Sequence, residues 1–326
     1  MSELVTIADI RAAAERIRGV AVRTPMVDVG RVLLDPPTGS GPAISLKCEN
    51  QQPMGAFKIR GAVNFLAQLP PEARAAGVIT YSSGNHGQAV ALAAQRLGML
   101  AVVVMPETAP RVKVEGVKSY GGEVIFAGTT SLDRKARAEA EAAARHLTMV
   151  PPFDHPWIIA GAGTCGLEIL EQKPDVKVIY VQVGGGGLIA GIAAAVKGSR
   201  TDVRIVGVEP AGAAKMFASR AAGHPVKLDT TASIADGLLP LRPGDMTFAH
   251  VQAFVDDIVT VTDDEIAAAV GWLHREAGIV AEPSGATSVA AVLRAGGADA
   301  AGTVAVISGG NVSPEDHARY VGGSGR

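Results

Sequence analysis

The chain has 326 residues, 48% apolar and 19% charged, with a net charge of -2. This is a globular composition, long enough for about two domains and without the basic excess of a nucleic-acid binder. Two cysteines, Cys48 and Cys165, exclude a disulfide framework and a Cys-rich zinc site. The longest apolar stretch, Leu188 to Val196, is too short to span a bilayer, and Met1-Ser2-Glu3 opens no secretory leader, so a cytoplasmic protein is expected.

Along the chain, Thr6 and Asp9 form a variant capping box ahead of Ile7, Ile10, Ala14 and Ile17, which share one helical face and predict a helix from Thr6 to about Arg18. The segment 35–42, DPPTGSGP, reads as a surface insertion. Short β-branched runs then alternate with Ala-rich stretches. Strands are predicted at 44–48, 78–81, 101–104, 123–126, 178–183, 204–208 and 303–307, with helices such as 88–97 and 131–146 between them. Continuous apolar strands separated by helices predict an α/β fold with open parallel sheets covered on both faces. Pro70-Pro71 and Pro151-Pro152 mark two crossings that would enclose a second lobe of about 75 residues.

Four segments at strand ends or helix starts carry the chemistry, because ligands of open parallel sheets bind at that edge. In Gly55-Ala56-Phe57-Lys58-Ile59-Arg60-Gly61, a lysine between Phe57 and Ile59 is a candidate desolvated amine for a Schiff base. An ordinary surface lysine is the plain alternative. Ser82-Ser83-Gly84-Asn85-His86-Gly87 offers hydroxyls, an amide and helix-start N–H groups to a carboxylate, or merely caps a helix. Gly184 through Gly187, before Leu188, let a backbone approach an anion at a helix start, and a phosphate is the natural guest. Ser308-Gly309-Gly310-Asn311 offers a hydroxyl to a heterocyclic nitrogen, or is a simple turn. Gly185, Gly187 and Ala190, with Glu209 further on, also fit a dinucleotide fingerprint, which would make the chain an oxidoreductase. That reading leaves the other three segments unexplained. A non-catalytic amino-acid-binding protein is the third class.

Taken together and in this order, FKIRGA, SSGNHG, GGGG and SGGN resemble the fold-type II pyridoxal-phosphate enzymes, the tryptophan synthase β-like fold. Within them they are similar to threonine/serine dehydratases and serine racemases. Ile159-Ala160-Gly161, Ser233-Ile234-Ala235-Asp236-Gly237 and Glu282-Pro283-Ser284-Gly285 extend the resemblance over nearly the whole chain. It implies two open parallel-sheet lobes with the site between them: a large cofactor domain over 1–77 and 153–326, and a small substrate-closing domain over 78–152. It also implies a homodimer that acts on a small amino acid, with no nucleic-acid or membrane partner.

Residue by residue, the resemblance implies that Lys58 holds the cofactor and then serves as base at the substrate Cα. Phe57 would pack on the cofactor ring, Asn85 would meet its hydroxyl, Gly184 to Gly187 and the Leu188 amide would bind its phosphate, and Ser308 would face its ring nitrogen. Ser82, Ser83, Asn85 and His86 would hold the substrate, Glu282 would stand nearby, and Arg134 would reach the site as the lobes close. The implied reaction is elimination from L-threonine or L-serine to a 2-keto acid and ammonia. Serine racemisation, with Ser83 returning a proton, and 3-hydroxyaspartate dehydration are the alternatives. The FKIRGA context argues against β-replacement, although Ala56 stands where the family commonly has Ser. The chain ends soon after SGGN, which implies no regulatory domain and no isoleucine inhibition. Some relatives hold a divalent cation between a Glu, a carbonyl and an Asp. This sequence keeps Glu209 but has Lys215 at the Asp position, so its ammonium is expected in place of the metal. The plain alternative leaves Lys215 in solvent.

Overall fold

A computed structural model describes residues 3–29, 44–82, 84–109, 111–129, 131–295 and 302–322. The segment 35–42 and Ser83 lie outside the described residues. Among the described residues ten strands are seen: β1 (Met26–Val29), β2 (Ile44–Cys48), β3 (Val78–Tyr81), β4 (Ala101–Met105), β5 (Glu123–Phe126), β6 (Thr148–Met149), β7 (Val178–Gln182), β8 (Arg204–Pro210), β9 (Asp257–Val261) and β10 (Thr303–Ile307). They form two sheets, one in the order β1-β2-β10-β7-β8-β9 and the other β5-β4-β3-β6. Every pairing is parallel except that of the edge strand β1 with β2.

All seven expected strands are present, and their apolar continuity has the anticipated cause. β2, β4 and β10 are buried along their whole length, as strands covered by helices on both faces must be. Three strands add to the expectation. β6 has only two residues, and β1 alternates too briefly to register as a period. β9, with the sequence DIVTV, carries a legible β-branched signal.

Helix Ile7–Arg16 starts at the expected capping box, with Thr6 accepting from the Asp9 amide and Asp9 accepting from the Thr6 amide. The helix expected from residue 88 begins three residues earlier, as Asn85–Arg96, because no proline or cap intervenes after Gly84. Asn85 and His86 therefore stand in its first turn. Helices Lys58–Leu66, Pro156–Gln172 and Gly187–Lys197 pack through small residues. A Cβ on Gly161 would lie 2.5 Å from the Arg60 carbonyl, and one on Gly191 would lie 2.4 Å from the Ile159 carbonyl. Backbone contact at that range explains the glycine- and alanine-rich composition.

A buried charge cluster locks the base of helix Lys58–Leu66. Arg60 donates to both oxygens of Glu49 at 2.7 and 2.8 Å and to both oxygens of Glu168 at 2.7 and 2.8 Å. Lys47 joins through Glu168 at 2.5 Å. Arg60, Lys47 and Glu49 are buried, and the planar guanidinium satisfies two carboxylates at once.

Candidate active site

The carboxyl ends of the two sheets face a cleft of about 580 Å³ lined by Phe57, Lys58, Ser82, Asn85, His86 and Arg134 from the expected set, together with Gly185, Glu282 and Ser308. Sequence-distant segments are stitched together here by main chain. The Phe57 amide donates to the Ser308 carbonyl at 3.0 Å, the Gly310 amide donates to the Gly55 carbonyl at 2.9 Å, and Ala56 bridges Gly309. Gly55 adopts φ +80°, and a Cβ there would collide with the Asn311 side-chain oxygen at 2.3 Å. The lysine segment and the final glycine turn are thus one structural unit.

Lys58 opens helix Lys58–Leu66, half-buried, and donates to the Pro152 carbonyl at 2.7 Å. Burial lowers its pKa to about 8, so an unusually large share of this amine is neutral near physiological pH. Its amine lies 5.1 Å from the centre of the Phe57 ring. The surface-lysine alternative is overturned.

Asn85 donates to Glu282 Oε1 at 2.5 Å and accepts from the Asn311 amide at 2.8 Å. Burial raises the Glu282 carboxyl to about 7, against a smaller downward pull from Lys113. The imidazole of His86 pairs with the Val150 carbonyl at 3.2 Å, and burial together with nearby Lys58 pushes its pKa down to about 3. This histidine is neutral, so its ring offers no positive charge to a carboxylate. What remains for an anion is the start of its helix, where the first N–H groups have no intrahelical acceptor. Ser82 accepts from the Gly84 amide at 3.1 Å and shapes that turn.

Of the tetraglycine turn, Gly185 lines the cleft, while Gly186, Gly187 and Leu188 are buried behind it and Gly184 is half-buried. Gly186 holds φ +99°, a left-handed geometry that disfavours any side chain. The turn is fixed from below by Thr247, which donates to the Gly185 carbonyl at 2.7 Å. Arg134 stands half-buried in the opposite wall. Its head donates to the Thr129 carbonyl at 3.3 Å, while its buried Nε finds no acceptor among the described residues. Among the cleft residues with no assigned role from sequence are Lys113 and Asp236, which form an ion pair across the cleft. Asp236 lies in a segment that carried the resemblance, but Lys113 sits in a helix with no motif at all.

The model of one family, described as pyridoxal-phosphate dependent enzyme, matches residues 17–310. The chain belongs to that family. Among relatives, it is 45% identical to an L-threonine ammonia-lyase of Geobacter sulfurreducens, over 83% of this chain and 68% of that protein. It is 41% identical to a biosynthetic L-threonine dehydratase of Pasteurella multocida over 85% of this chain, of whose length it spans about half, 53%. The structure of maize serine racemase superposes with a TM-score of 0.90 at 38% identity, covering 96% of this chain and 95% of that one.

The residues present fit the family's cofactor. A pyridoxal-phosphate enzyme needs an amine that is neutral near working pH, an anion cradle at a helix start and a polar group for the ring nitrogen. Lys58, the tetraglycine turn through Gly185, and Ser308 stand along one cleft. The dinucleotide reading fails on Glu209. Its carboxylate is fully buried and accepts from the Met216 and Phe217 amides at 3.0 and 2.8 Å, so it cannot reach a ribose. The same carboxylate faces the Lys215 ammonium at 3.1 Å, and both side chains are fully buried. Lys215 is therefore not in solvent. A divalent cation does not fit beside Glu209, since the ammonium already fills that place.

Among the described residues no helix is long and apolar enough to cross a membrane.

Proposed function

We propose that this chain eliminates water and then ammonia from L-threonine or L-serine, giving the corresponding 2-keto acid. The observation that carries this reading is the Lys58 amine, lowered to about 8 and held at the cleft between Phe57 and the Pro152 carbonyl. The likeness to an L-threonine ammonia-lyase over most of the chain supports it.

When bound, pyridoxal phosphate makes the substrate Cα–H acidic by withdrawing electrons from the amino nitrogen joined to it. The protein's own groups do the rest. The Lys58 amine, in the neutral form that burial makes accessible near pH 8, takes the Cα proton; general-base catalysis of this kind contributes about 10²–10⁴-fold. The start of helix Asn85–Arg96 holds the substrate carboxylate with Ser82, and orients Cα–H toward Lys58. The β-hydroxyl departs as water with the proton that Lys58 has taken up, and the resulting enamine tautomerises to an imine that a water molecule hydrolyses to the 2-keto acid and ammonia. Asn85, fixed by Glu282 and Asn311, would hold the cofactor's ring hydroxyl, and Ser308 would stand opposite its ring nitrogen. A serine hydroxyl there, unlike a carboxylate, would not hold a ring nitrogen protonated. Closure of the 78–152 lobe, with Lys113 and Asp236 as its cross-cleft pair, excludes water. Arg134, half-buried in the same cleft, would come nearer the substrate as the lobe closes.

The deciding test is keto-acid formation from L-threonine, L-serine and 3-hydroxyaspartate by cofactor-loaded protein, followed on chiral chromatography. Keto acid from threonine or serine supports the reading. Inversion of L-serine without keto acid assigns racemisation instead, and no change in any substrate refutes catalysis of this class.

A further inference from the structure

The Lys215 ammonium is surrounded by oxygen. It donates to the carbonyls of Leu238 at 2.8 Å, Ala213 at 2.9 Å and Val183 at 3.1 Å, and it meets Glu209 Oε1 at 3.1 Å. Three carbonyls and one carboxylate converging on a fully buried point are the donor set of a hard cation, not the surroundings of a snorkelling lysine. The four oxygens come from three separate stretches of chain, around Val183, from Glu209 to Ala213, and at Leu238. Val183 directly precedes the tetraglycine turn. Leu238 ends the short helix Asp236–Leu238, which carries Asp236 and Gly237 into the cleft wall. Ala213 ends a second short helix, Ala211–Ala213. Glu209 comes from β8, and both its oxygens also accept main-chain amides, which fixes the carboxylate in place and offsets part of the upward push of burial on its pKa. The turn and the 236–238 segment lie side by side, since a Cβ on Gly184 would be 3.1 Å from the Gly237 carbonyl.

We propose that Lys215 is a built-in cation: its tethered ammonium does for this cage what a bound metal ion would do, and holds the anion-binding turn against the 236–238 wall. It is a positioning residue, touching neither cofactor nor substrate. Two consequences follow. The enzyme requires no divalent cation, and exchanging the ammonium for a carboxylate creates a need for one. In the Lys215→Asp variant the cage becomes two carboxylates with carbonyls, a set that Mg²⁺ or Mn²⁺ accepts.

The proposal rests on the tetraglycine turn being the cofactor's anion site, but the cage is tested by melting temperature without reference to turnover. For the natural chain, Tm and cofactor affinity are expected to be equal in chelator, Mg²⁺ and Mn²⁺. For Lys215→Asp, Tm in chelator is expected to fall by on the order of 10 °C, because a buried carboxylate loses its partner and gains a like-charged neighbour. Mn²⁺ or Mg²⁺ should recover most of that fall, together with cofactor affinity. Lys215→Met, neutral and of similar volume, should lose cofactor affinity and regain nothing from either ion. A natural chain whose Tm or cofactor affinity drops in chelator and returns with Mg²⁺ would overturn the proposal. So would a Lys215→Met protein with undiminished Tm and cofactor affinity. Should Lys215→Asp not fold, the chelator measurement on the natural chain and Lys215→Met still decide.

Discussion

Asn85 and Glu282, separated by 197 residues in sequence, meet at 2.5 Å, the amide of one donating to the carboxyl of the other. Glu282 is buried, and desolvation holds it to about 7, well above its unfolded value. A carboxyl whose folded pKa is raised binds its proton more tightly when folded. Its contribution is therefore fully present below about pH 4.5 and is lost as pH rises through about 7, over a range of about 3 kcal/mol. His86 slopes the other way, because its lowered pKa makes the fold less stable as pH falls below about 6.5. Only a difference between proteins isolates Glu282. Glu282→Gln keeps an acceptor and removes the titration, so the Tm gap between it and the natural chain is expected to widen steadily from pH 4.5 to 7. A gap independent of pH would show that Glu282 does not titrate there.

The amine at position 58 makes a second pH prediction. Only its neutral form attacks an aldehyde, and burial brings that form within reach at about pH 8 rather than above 10. The rate at which cofactor-free protein regains its visible absorption band should rise with pH and level off near 8. Lys58→Ala should form no borohydride-reducible adduct, and its keto-acid production should fall by about 10⁴-fold or more, beyond the base contribution alone. Peptide mass mapping after reduction reports the attachment directly.

Gly309 gives a steric prediction. A Cβ there would lie 2.2 Å from Glu282 Oε1 and 3.2 Å from the Asn85 amide nitrogen. Gly309→Ala must push the carboxyl out of its hydrogen bond, and overpacking of this kind costs about 1–3 kcal/mol. Cofactor affinity should suffer with it, measured by titration of the absorption band. Gly98, whose Cβ would meet nothing, is the control: Gly98→Ala, at φ +67°, should cost stability through backbone strain alone and leave cofactor affinity intact.

Arg60 is a stability prediction. It serves two buried carboxylates, and removing one partner of such a cluster costs about 3–5 kcal/mol. Arg60→Met should lower the denaturation midpoint sharply. Arg60→Lys should recover only part of the loss, since a single ammonium cannot match four carboxylate oxygens in one plane. A full recovery would mean that charge alone, without the guanidinium's geometry, holds the cluster.

Much of this architecture was legible in the residues. Unbroken β-branched runs such as AVVVM at 101–105 announce strands buried on both faces, and glycine clusters after them announce the ligand edge. Thr6 and Asp9 fixed a helix start because capping is local chemistry. What escaped was decided at a distance. The two residues of β6 become a strand only because β3 lies beside them. Lys113 has no motif of its own, and its place in the cleft comes from Asp236, 123 residues away. The neutrality of His86 follows from burial and from Lys58, neither of which a local pattern displays. Arg60 stands inside a quoted motif, yet its carboxylates come from elements on either side of it.

The strand order carries a consequence for biosynthesis. β10 does not close an edge of the six-stranded sheet; it is inserted between β2 and β7, and the turn that follows it completes the lysine segment through the Phe57 amide. A ribosome therefore exposes Lys58 long before the seat for its partner exists, and the larger sheet stays open down its middle until residues 303–311 have emerged. The other sheet, drawn wholly from residues 78–149, needs no such delay, so vectorial synthesis presents the smaller sheet first and vitamin loading last.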